Sequence, residues 1–324
     1  MAAVPKRRIP LVAMLVCPLC HGNLVEASHD LRCESCTRTY PIVDGIPLLL
    51  LDVKAAEHDE LDHHHGRHGH SERERQKEFF DNEVEPEFEI TRPRGTPALY
   101  RWYYAEKFRK SIANLESLLD GSTVLTVCGG SGMDAEFLAA RGARVIASDL
   151  SLGAAQRARE RARRYGLAIE PIVADVEHLP FADRSVDIAY VHDGLHHIEN
   201  PFTGLSEMTR VARLALSVTE PADAIATKIA IQLGLALEQE EAGNRVARMR
   251  QREIAEFLNK EGYKVVSAQR YAMYYQHNPG RLIRLLSVPG LLTATQAAVI
   301  LGNLLIGRWG NRLGVTATRL NGSS

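Results

Sequence analysis

Two cysteine pairs near the start of the chain have the spacing of metal ligands. Cys17 and Cys20 form one C-x2-C pair, and Cys33 and Cys36 form a second pair after twelve intervening residues. Four thiolates on two such turns can close a tetrahedron around Zn²⁺, which leaves no open position for catalysis. We therefore predict a structural zinc site that stabilises a segment too short to build a sufficient core of its own.

A second group of candidate residues surrounds a glycine-rich turn. The apolar segment 124–127 leads into Gly129-Gly130-Ser131-Gly132, and a helical pattern follows. Glycines at such a turn let the backbone bend tightly and let a ligand approach closely. Asp149 lies nineteen residues after Gly130, at the end of the next apolar segment, where an acid binds ribose hydroxyls in nucleotide-binding folds. The pattern predicts a Rossmann-type nucleotide site, which several classes of enzyme share.

Strand and helix patterns alternate from residue 123 onward, which is typical of a parallel α/β sheet. We predict a small zinc-ribbon domain at 9–51, a histidine-rich linker at 52–76 and a large α/β domain at 77–324. Helical insertions are expected within the large domain at about 222–245 and 279–310. The linker histidines are interleaved with acids and are interpreted as solvated rather than as a metal site.

The large domain resembles class I S-adenosylmethionine-dependent methyltransferases, especially the branch that includes ubiquinone-biosynthesis enzymes. Four phrases carry the resemblance, in the family's order: Cys128 to Gly132, Ala147 to Asp149, Ala174 to Phe181, and Asp187 to His197. The resemblance implies a Rossmann-like sheet of seven strands, the seventh antiparallel, with S-adenosyl-L-methionine as cofactor. The cysteine segment, which closes on Tyr40 to Pro47, resembles zinc ribbons fused to bacterial methyltransferases.

The resemblance also implies which residues contact the cofactor. Gly130 and Gly132 would line its methionine part, Asp149 would hold the ribose hydroxyls, and Asp175 would face the adenine amino group with Val176 beside the ring. The full predicted set is Cys128, Gly130, Gly132, Asp134, Asp149, Leu150, Asp175, Val176 and His192.

The chain departs from the family pattern at two positions. Thr126 stands where the family usually has an acid, and Cys128 stands where it has a first glycine. The missing acid removes one partner for the cofactor's ammonium group, and Asp134 in the following helix is the candidate to replace it. Cys128 directly follows a buried strand, so we interpret it as a small packing residue rather than a nucleophile.

Three residues at the end of the fourth predicted strand are candidates for catalysis. His192, Asp193 and His196 would lie at the carboxyl edge of the sheet, where ligands bind in open α/β folds. Histidine is suited to accept a proton near neutral pH, and a hydroxyl that is methylated must lose one. The alternative is that the pair His196-His197 is only a fold feature of this family branch.

The predicted function is methyl transfer to a small or lipid-like acceptor, at oxygen. Both insertions are apolar, and Ile229, Leu233, Leu285 and Leu291 are expected to wall an acceptor pocket, or the helices to lie on a membrane interface. Segment 282–306 is too interrupted by polar residues to indicate a membrane span. The alternatives are a ribosomal-RNA guanine-type base methyltransferase and a non-catalytic partner protein with this fold.

Bulk properties narrow these choices. A formal net charge of −1 lacks the basic excess of a nucleic-acid binder, which disfavours the RNA alternative. An odd cysteine count with two metal-type pairs indicates a reducing compartment, so a cytoplasmic location is expected. The arginine row from Arg157 to Arg164 is interpreted as the solvated face of a helix.

Overall fold

The computed structural model describes residues 9–51, 72–198, 200–224, 249–273 and 278–320. Most of the predicted linker and of the first helical insertion, including Ile229 and Leu233, lies outside these ranges. Residues 72–76, which the sequence assigned to the linker, belong to the first helix.

Eleven strands form one sheet in the spatial order β1-β2-β3-β4-β7-β6-β5-β8-β9-β11-β10. In chain order they are β1 (Leu24–Ala27), β2 (Asp30–Cys33), β3 (Thr39–Val43), β4 (Ile46–Leu49), β5 (Thr123–Val127), β6 (Arg144–Asp149), β7 (Ile169–Ala174), β8 (Val186–His192), β9 (Ala212–Pro221), β10 (Tyr263–Tyr271) and β11 (Arg312–Arg319). Strands β5 to β11 supply the seven strands predicted for the large domain, and β11 is antiparallel to both of its neighbours. The strand count exceeds seven because the cysteine-rich segment adds β1 to β4.

Ten described α-helices flank these strands. They are α1 (Glu72–Asp81), α2 (Pro86–Thr91), α3 (Ala98–Ser111), α4 (Glu116–Leu119), α5 (Met133–Ala139), α6 (Leu152–Tyr165), α7 (Pro201–Val211), α8 (Gln251–Lys260), α9 (Arg281–Leu285) and α10 (Leu291–Ile306). Helix α6 shows why such segments begin and end where they do. The hydroxyl of Ser151 accepts a hydrogen bond from the backbone N–H of Ala154 at its start, and Gly166 adopts the left-handed conformation at its end.

Apolar side chains bury both faces of the central strands. In β8, Ala189 and Val191 belong to the core on one face of the sheet, whereas Ile188 and Tyr190 belong to the core on the other. Alternation of this kind follows from the two-residue period of a strand, and burial on both faces explains the nearly continuous apolar sequence. Because β5 to β9 run parallel to one another, their carboxyl ends lie along the same edge of the sheet, and the polar residues that follow them lie there too.

The cysteine-rich segment is joined to the large sheet by strand pairing. Strand β4 runs parallel to β7, with Leu48 opposite Val173 and Leu49 opposite Ala174. Leu31 and Tyr40 are fully buried in the same core that covers one face of the large sheet. The two predicted domains thus share both a sheet and a core.

The arginine row on α6 is only partly solvated, which corrects the interpretation made from sequence. Arg161 is fully buried and Arg157 nearly so. Arg163 and Arg164 do face solvent and pair with Glu160 on the same helix. A periodic row of arginines on a helix does not reveal which position turns inward, because their long side chains can reach distant acceptors.

The second insertion forms α9 and α10. Leu285 is 58% exposed and Leu291 is 45% exposed, so neither is buried as the sequence suggested. Within the described residues, one helical stretch, Leu291–Trp309, is long and apolar enough to cross a membrane by length and composition. Only 6% of its most apolar 18-residue segment is buried in the protein.

Candidate active site

The glycine-rich turn connects β5 to α5 with three residues of positive φ. Cys128 has φ 53°, Gly130 has φ 52° and Gly132 has φ 77°. A side chain at Gly132 would bring its Cβ within 3.0 Å of the Ala158 Cβ, so the close approach of α5 and α6 requires glycine there. A Cβ at Gly130 would meet no described atom within 4 Å. The backbone at Gly130 is therefore open to an approaching ligand.

Asp149 ties this turn to the end of β6. Its Oδ2 accepts a hydrogen bond from the backbone N–H of Gly130 at 2.8 Å, and its Oδ1 accepts one from Ser151 at 2.9 Å. Burial raises the pKa of this carboxyl group above its usual value. Each carboxylate oxygen can accept a second hydrogen bond, so Asp149 can hold the turn and still receive hydroxyl donors from a ligand.

Thr126 and Asp134 lie on either side of Gly129. A Cβ at Gly129 would lie 3.0 Å from the Thr126 hydroxyl and 3.7 Å from Oδ1 of Asp134. Among the described residues, the fully buried Thr126 hydroxyl has no hydrogen-bond partner. Burial raises the pKa of Asp134 to about 7, although its Oδ1 accepts a backbone hydrogen bond from Ala135. A cation bound beside these oxygens would satisfy both groups.

Arg161 is the residue that fixes the glycine-rich turn from behind. Its guanidinium donates to the carbonyl oxygens of Ser131 and Arg92 and to the carboxylate of Glu136, each at 2.8 Å. It also donates to the carbonyl oxygen of Glu89. One buried cation thus joins α2, α5 and the turn, although α2 lies about forty residues earlier in the chain.

Asp175, Val176 and Leu150 follow the ends of β7 and β6 beside the turn. Oδ1 of the buried Asp175 accepts a hydrogen bond from the backbone N–H of Glu177 at 3.0 Å, which starts a short 3₁₀ turn. Val176 is buried in the core and Leu150 is half-buried. The half-buried Cys128 has a pKa raised well above its ordinary value by burial and then by the charge of Asp149, which keeps it a thiol.

His192 is the buried titratable group at the end of β8. Its Nδ1 lies 3.0 Å from the hydroxyl of Tyr190, and its ring packs edge-on against Phe108 at 5.0 Å between centroids. Its Nε2 has no hydrogen-bond partner among the described residues, although the side chain is only 4% exposed. Burial, and then the nearby charge of Lys107, lowers the pKa of His192 well below its usual value of 6.5. The imidazole is therefore neutral at physiological pH.

Asp193 is held by two cations. Its Oδ2 lies 2.5 Å from Nζ of the buried Lys107 on α3, and its Oδ1 accepts a hydrogen bond from Arg312 at the start of β11. Burial opposes the charge of Asp193, but Arg312 and Lys107 outweigh it and hold its pKa far below the usual range. An acid this strong cannot serve as a base at neutral pH. Through these two ion pairs Asp193 connects α3 and β11 to the end of β8.

His196 is fixed in the protein interior by Glu220. Its Nδ1 lies 2.7 Å from Oε2 of Glu220, and both side chains are almost completely buried. Oε1 of Glu220 also accepts the backbone N–H groups of Gly194 and Leu195. Glu220 thus connects the His196 ring to the backbone of the loop after β8. Such a contact is what we expect if the histidine pair is a feature of the fold.

The four cysteines predicted as metal ligands converge. Their sulfur atoms all lie within 4.8 Å of one another, with 3.7 Å between Cys17 and Cys36 and 3.5 Å between Cys20 and Cys33. A tetrahedral zinc site with Zn–S bonds near 2.3 Å requires sulfur atoms about 3.8 Å apart, so the cluster has the size and the donor type that Zn²⁺ prefers.

The structure brings the predicted site residues into two neighbouring groups and adds others that sequence reasoning missed. The turn, Asp134 and Asp149 form one group, and His192 and Asp193 form the other. Lys107 was missed although it follows an aromatic stretch on α3 that could have drawn attention. Arg312 had no sequence signal, since 119 residues separate it from the Asp193 that it contacts.

Two family models match the chain. Residues 125–214 match the model of a methyltransferase domain, and residues 9–45 match that of Trm112p-like proteins. The chain is 36% identical over 110 residues to a demethylmenaquinone methyltransferase from Thermobifida fusca, covering 33% of this chain and 46% of that protein. A second demethylmenaquinone methyltransferase, from Renibacterium salmoninarum, is 30% identical over 135 residues, covering 42% and 53%. The chain thus spans about half the length of the curated relatives it matches.

A solved structure shares the fold at low sequence identity. Magnesium protoporphyrin IX methyltransferase from Synechocystis, with bound S-adenosylhomocysteine, superposes with a TM-score of 0.54 at 16% identity, covering 76% of this chain and 98% of that one. This likeness concerns the fold alone, and it agrees with the matched domain. Residues 125–214 thus match a methyltransferase domain within a class I methyltransferase fold, and a Trm112p-like segment with a four-cysteine cluster precedes that domain.

Proposed function

We propose that this methyltransferase transfers a methyl group to an oxygen of a lipid-like acceptor of the quinol type, with His192 receiving the acceptor's proton. The observation that carries the proposal is a buried, neutral histidine at the carboxyl edge of the sheet, whose Nε2 lies 3.9 Å from Oδ2 of Asp193 and makes no hydrogen bond to any described residue. A neutral imidazole can act as a proton acceptor, whereas the ion-paired Asp193 and the fixed His196 cannot.

The residues present fit S-adenosyl-L-methionine. The turn at Gly130 is open, Asp149 has accepting capacity beside it, and the buried Thr126 hydroxyl lacks a partner among the described residues. We assign Asp149 to the ribose hydroxyls, and Asp134 with Thr126 to the ammonium group. Asp175 and Val176 are assigned to the adenine. The bound cofactor would supply an electrophilic methyl group on a sulfonium centre.

His192 is suited to this role by its surroundings. Phe108 and Tyr190 shield the imidazole from water, and the nearby charge of Lys107 keeps it unprotonated. Low basicity is no obstacle, because an oxygen that has just received a methyl cation is a strong acid and gives up its proton easily. The protein therefore needs a fixed acceptor for the proton more than it needs a strong base.

The names of the similar proteins support the class of acceptor. Both curated relatives described above are demethylmenaquinone methyltransferases, which act on a lipid quinone. The formal net charge of −1 agrees with an uncharged acceptor better than with RNA. These observations favour a lipid-like ring over a nucleic acid.

Zinc belongs to the proposal as a structural ion. Cys17, Cys20, Cys33 and Cys36 would all be ligands, which leaves no position for a substrate. The ion would hold together a segment that shares its core and one strand with the large sheet.

The proposal is tested by offering a radiolabelled methyl donor and three acceptor pools to the purified protein. The pools are a reduced demethylated menaquinone, total RNA and a polar metabolite fraction. We expect label in the quinol pool, and NMR of the product should show the methyl group on oxygen. Preferential labelling of RNA would refute the acceptor class. A methyl group on ring carbon would refute only the proposed atom.

A further inference from the structure

The outward face of α10 and the turn after it is apolar and exposed. Six large apolar side chains there are at least 50% exposed, and Leu304 is 78% exposed: Ile300, Leu301, Leu304, Leu305, Ile306 and Trp309. We call these six residues the α10 surface. A contiguous exposed patch of large apolar side chains is unusual for a soluble protein and marks a surface that something covers.

Helix α10 directs a polar side chain toward the protein and apolar side chains toward solvent, the reverse of an ordinary surface helix. Its polar Asn303 faces the protein, where its amide accepts from the backbone N–H of Ala272 at 2.7 Å and donates to the carbonyl of Ala272 at 3.1 Å. Leu292 packs inward against the core. Amphipathic helices normally direct their polar side chains to water and their leucines inward. Here Leu301, Leu304 and Leu305 point outward, which is the pattern expected of a helix that contacts lipid.

The segment of the chain that carries the α10 surface has charges of one sign. No aspartate or glutamate follows Glu261 in the chain, whereas seven lysines and arginines do. Arg281 and Arg284 are exposed on the neighbouring α9, and the guanidinium of Arg308 lies 3.8 Å from the ring centre of Trp309. Basic residues beside exposed leucines and an amphipathic tryptophan are the combination that binds anionic headgroups and the interface beneath them.

We propose that the α10 surface docks on an anionic lipid bilayer, with α10 lying in the interface. Asn303 fixes one face of the helix to the backbone of Ala272, so α10 is held along the protein surface, which suits a helix that lies in the interface rather than across the bilayer. A second copy of the chain is a less suitable occupant. Symmetric pairing would bring the arginines of two copies together without an acid from the same region.

The docking surface adjoins the candidate active site through one helix. The hydroxyl of Ser287, just after α9, accepts a hydrogen bond from the backbone N–H of Leu99 on α3 at 3.1 Å. Ile283 of α9 belongs to the same core cluster as Phe108 of α3, which contacts His192. A bilayer held by α10 would therefore lie against the element that covers the site. The docking itself does not depend on which acceptor is methylated.

The experiment is flotation of the full chain with vesicles of phosphatidylcholine, with or without about 30% phosphatidylglycerol. We expect binding to the anionic vesicles. The triple variant Leu301→Gln/Leu304→Gln/Leu305→Gln should lower the partition coefficient at least tenfold. Arg281→Gln/Arg284→Gln should lower it about fivefold per arginine. The matched control Val25→Gln/Val84→Gln changes exposed apolar residues elsewhere and should bind like the parent.

Two further measurements keep the outcome interpretable. Thermal melting and S-adenosylhomocysteine titration should be unchanged in the triple variant, which shows that it has folded. In a Trp102→Phe background, the fluorescence of Trp309 should shift to the blue on anionic vesicles. Equal flotation of the parent and the triple variant would overturn the proposal. A parent that is dimeric by ultracentrifugation and indifferent to vesicles, with a monomeric triple variant, would assign the surface to a second copy instead.

Discussion

Replacement of Asp134 tests how this chain binds its cofactor without the acid that its relatives usually have at position 126. Burial raises the pKa of Asp134 to about 7, and a bound ammonium group would favour its ionised form. Only the ionised fraction can pair with that group. At pH 5.5 this fraction is about 3%, so S-adenosylhomocysteine should bind about thirtyfold more weakly than at pH 8.5.

Asp134→Asn should remove both the charge and its pH dependence. At pH 8.5 the loss of a hydrogen bond to a charged group predicts binding weaker by about 1.5–3 kcal/mol, or roughly ten- to a hundredfold. Calorimetry from pH 5.5 to 8.5 in two buffers would measure the affinity and the proton released on binding. Asp183→Asn, at an exposed position, is the control. An affinity of the parent protein that does not change with pH would refute the reasoning, as would an unaltered slope in Asp134→Asn.

The same variant makes an opposite prediction for stability. The folded chain binds the Asp134 proton more tightly than the unfolded chain, whose aspartate has a pKa near 3.8. Ionising the buried group therefore costs stability, and this cost grows between about pH 4 and pH 7 and is constant above. Without ligand, Asp134→Asn should melt at a higher temperature than the parent, most clearly above pH 7. An equal or lower melting temperature there would contradict the raised pKa.

Four further changes have defined outcomes. His192→Ala should lower kcat about a hundredfold at saturating cofactor, and the parent's kcat should change little from pH 8 to pH 6, because burial lowers the pKa of His192 well below its usual value. Asp149→Ala should weaken S-adenosylhomocysteine binding by about 1.5–3 kcal/mol in calorimetry. Cys17→Ser/Cys20→Ser should abolish the single zinc expected from elemental analysis and lower the melting temperature. Arg161→Met should destabilise the fold by about 3 kcal/mol in urea, since it leaves the buried carbonyl of Ser131 and Oε2 of Glu136 without their donor.

These four changes have matched controls and contrary outcomes. Arg159→Met changes a partly exposed arginine on the same helix and should alter stability little; equal effects of the two arginine variants would contradict the role of Arg161. His29→Ala changes an exposed histidine and should leave kcat unchanged. A parent protein without bound zinc would end the metal prediction. Unchanged cofactor affinity in Asp149→Ala would remove Asp149 from the ribose site.

The sequence predicted the elements whose signals are local. The two-residue and helical periods, the cap at Ser151 and the cysteine spacing all depend on residues that are close in the chain, so the strands, helix α6 and the sulfur cluster could be foreseen. Contacts between distant segments could not. The ion pair of Asp193 with Arg312, and the inward turn of Arg161, depend on how separate elements pack, which no spacing in the chain records.

The apolar insertion shows a different limit of sequence reasoning. Leucine-rich segments predict burial, but they do not specify what buries them. Leu285 and Leu291 were expected to wall a pocket, yet both are substantially exposed, while the polar Asn303 takes the inward position. Asn303 faces the protein because its amide makes hydrogen bonds to the backbone of Ala272. This contact depends on the packing of α10 beside the end of β10, which the sequence does not specify.

Because β4 pairs with β7, we expect the segment that carries the cysteine cluster to protect the large sheet from aggregation. Val173 and Ala174 lie where β7 would otherwise end the large sheet, and β4 covers the backbone groups of that edge. An uncovered, apolar edge strand is a template for pairing with other chains. Removing the metal should therefore do more than loosen a small domain. Chelated protein should self-associate through the uncovered edge of β7, and light scattering during chelation should rise before the central strands lose their structure.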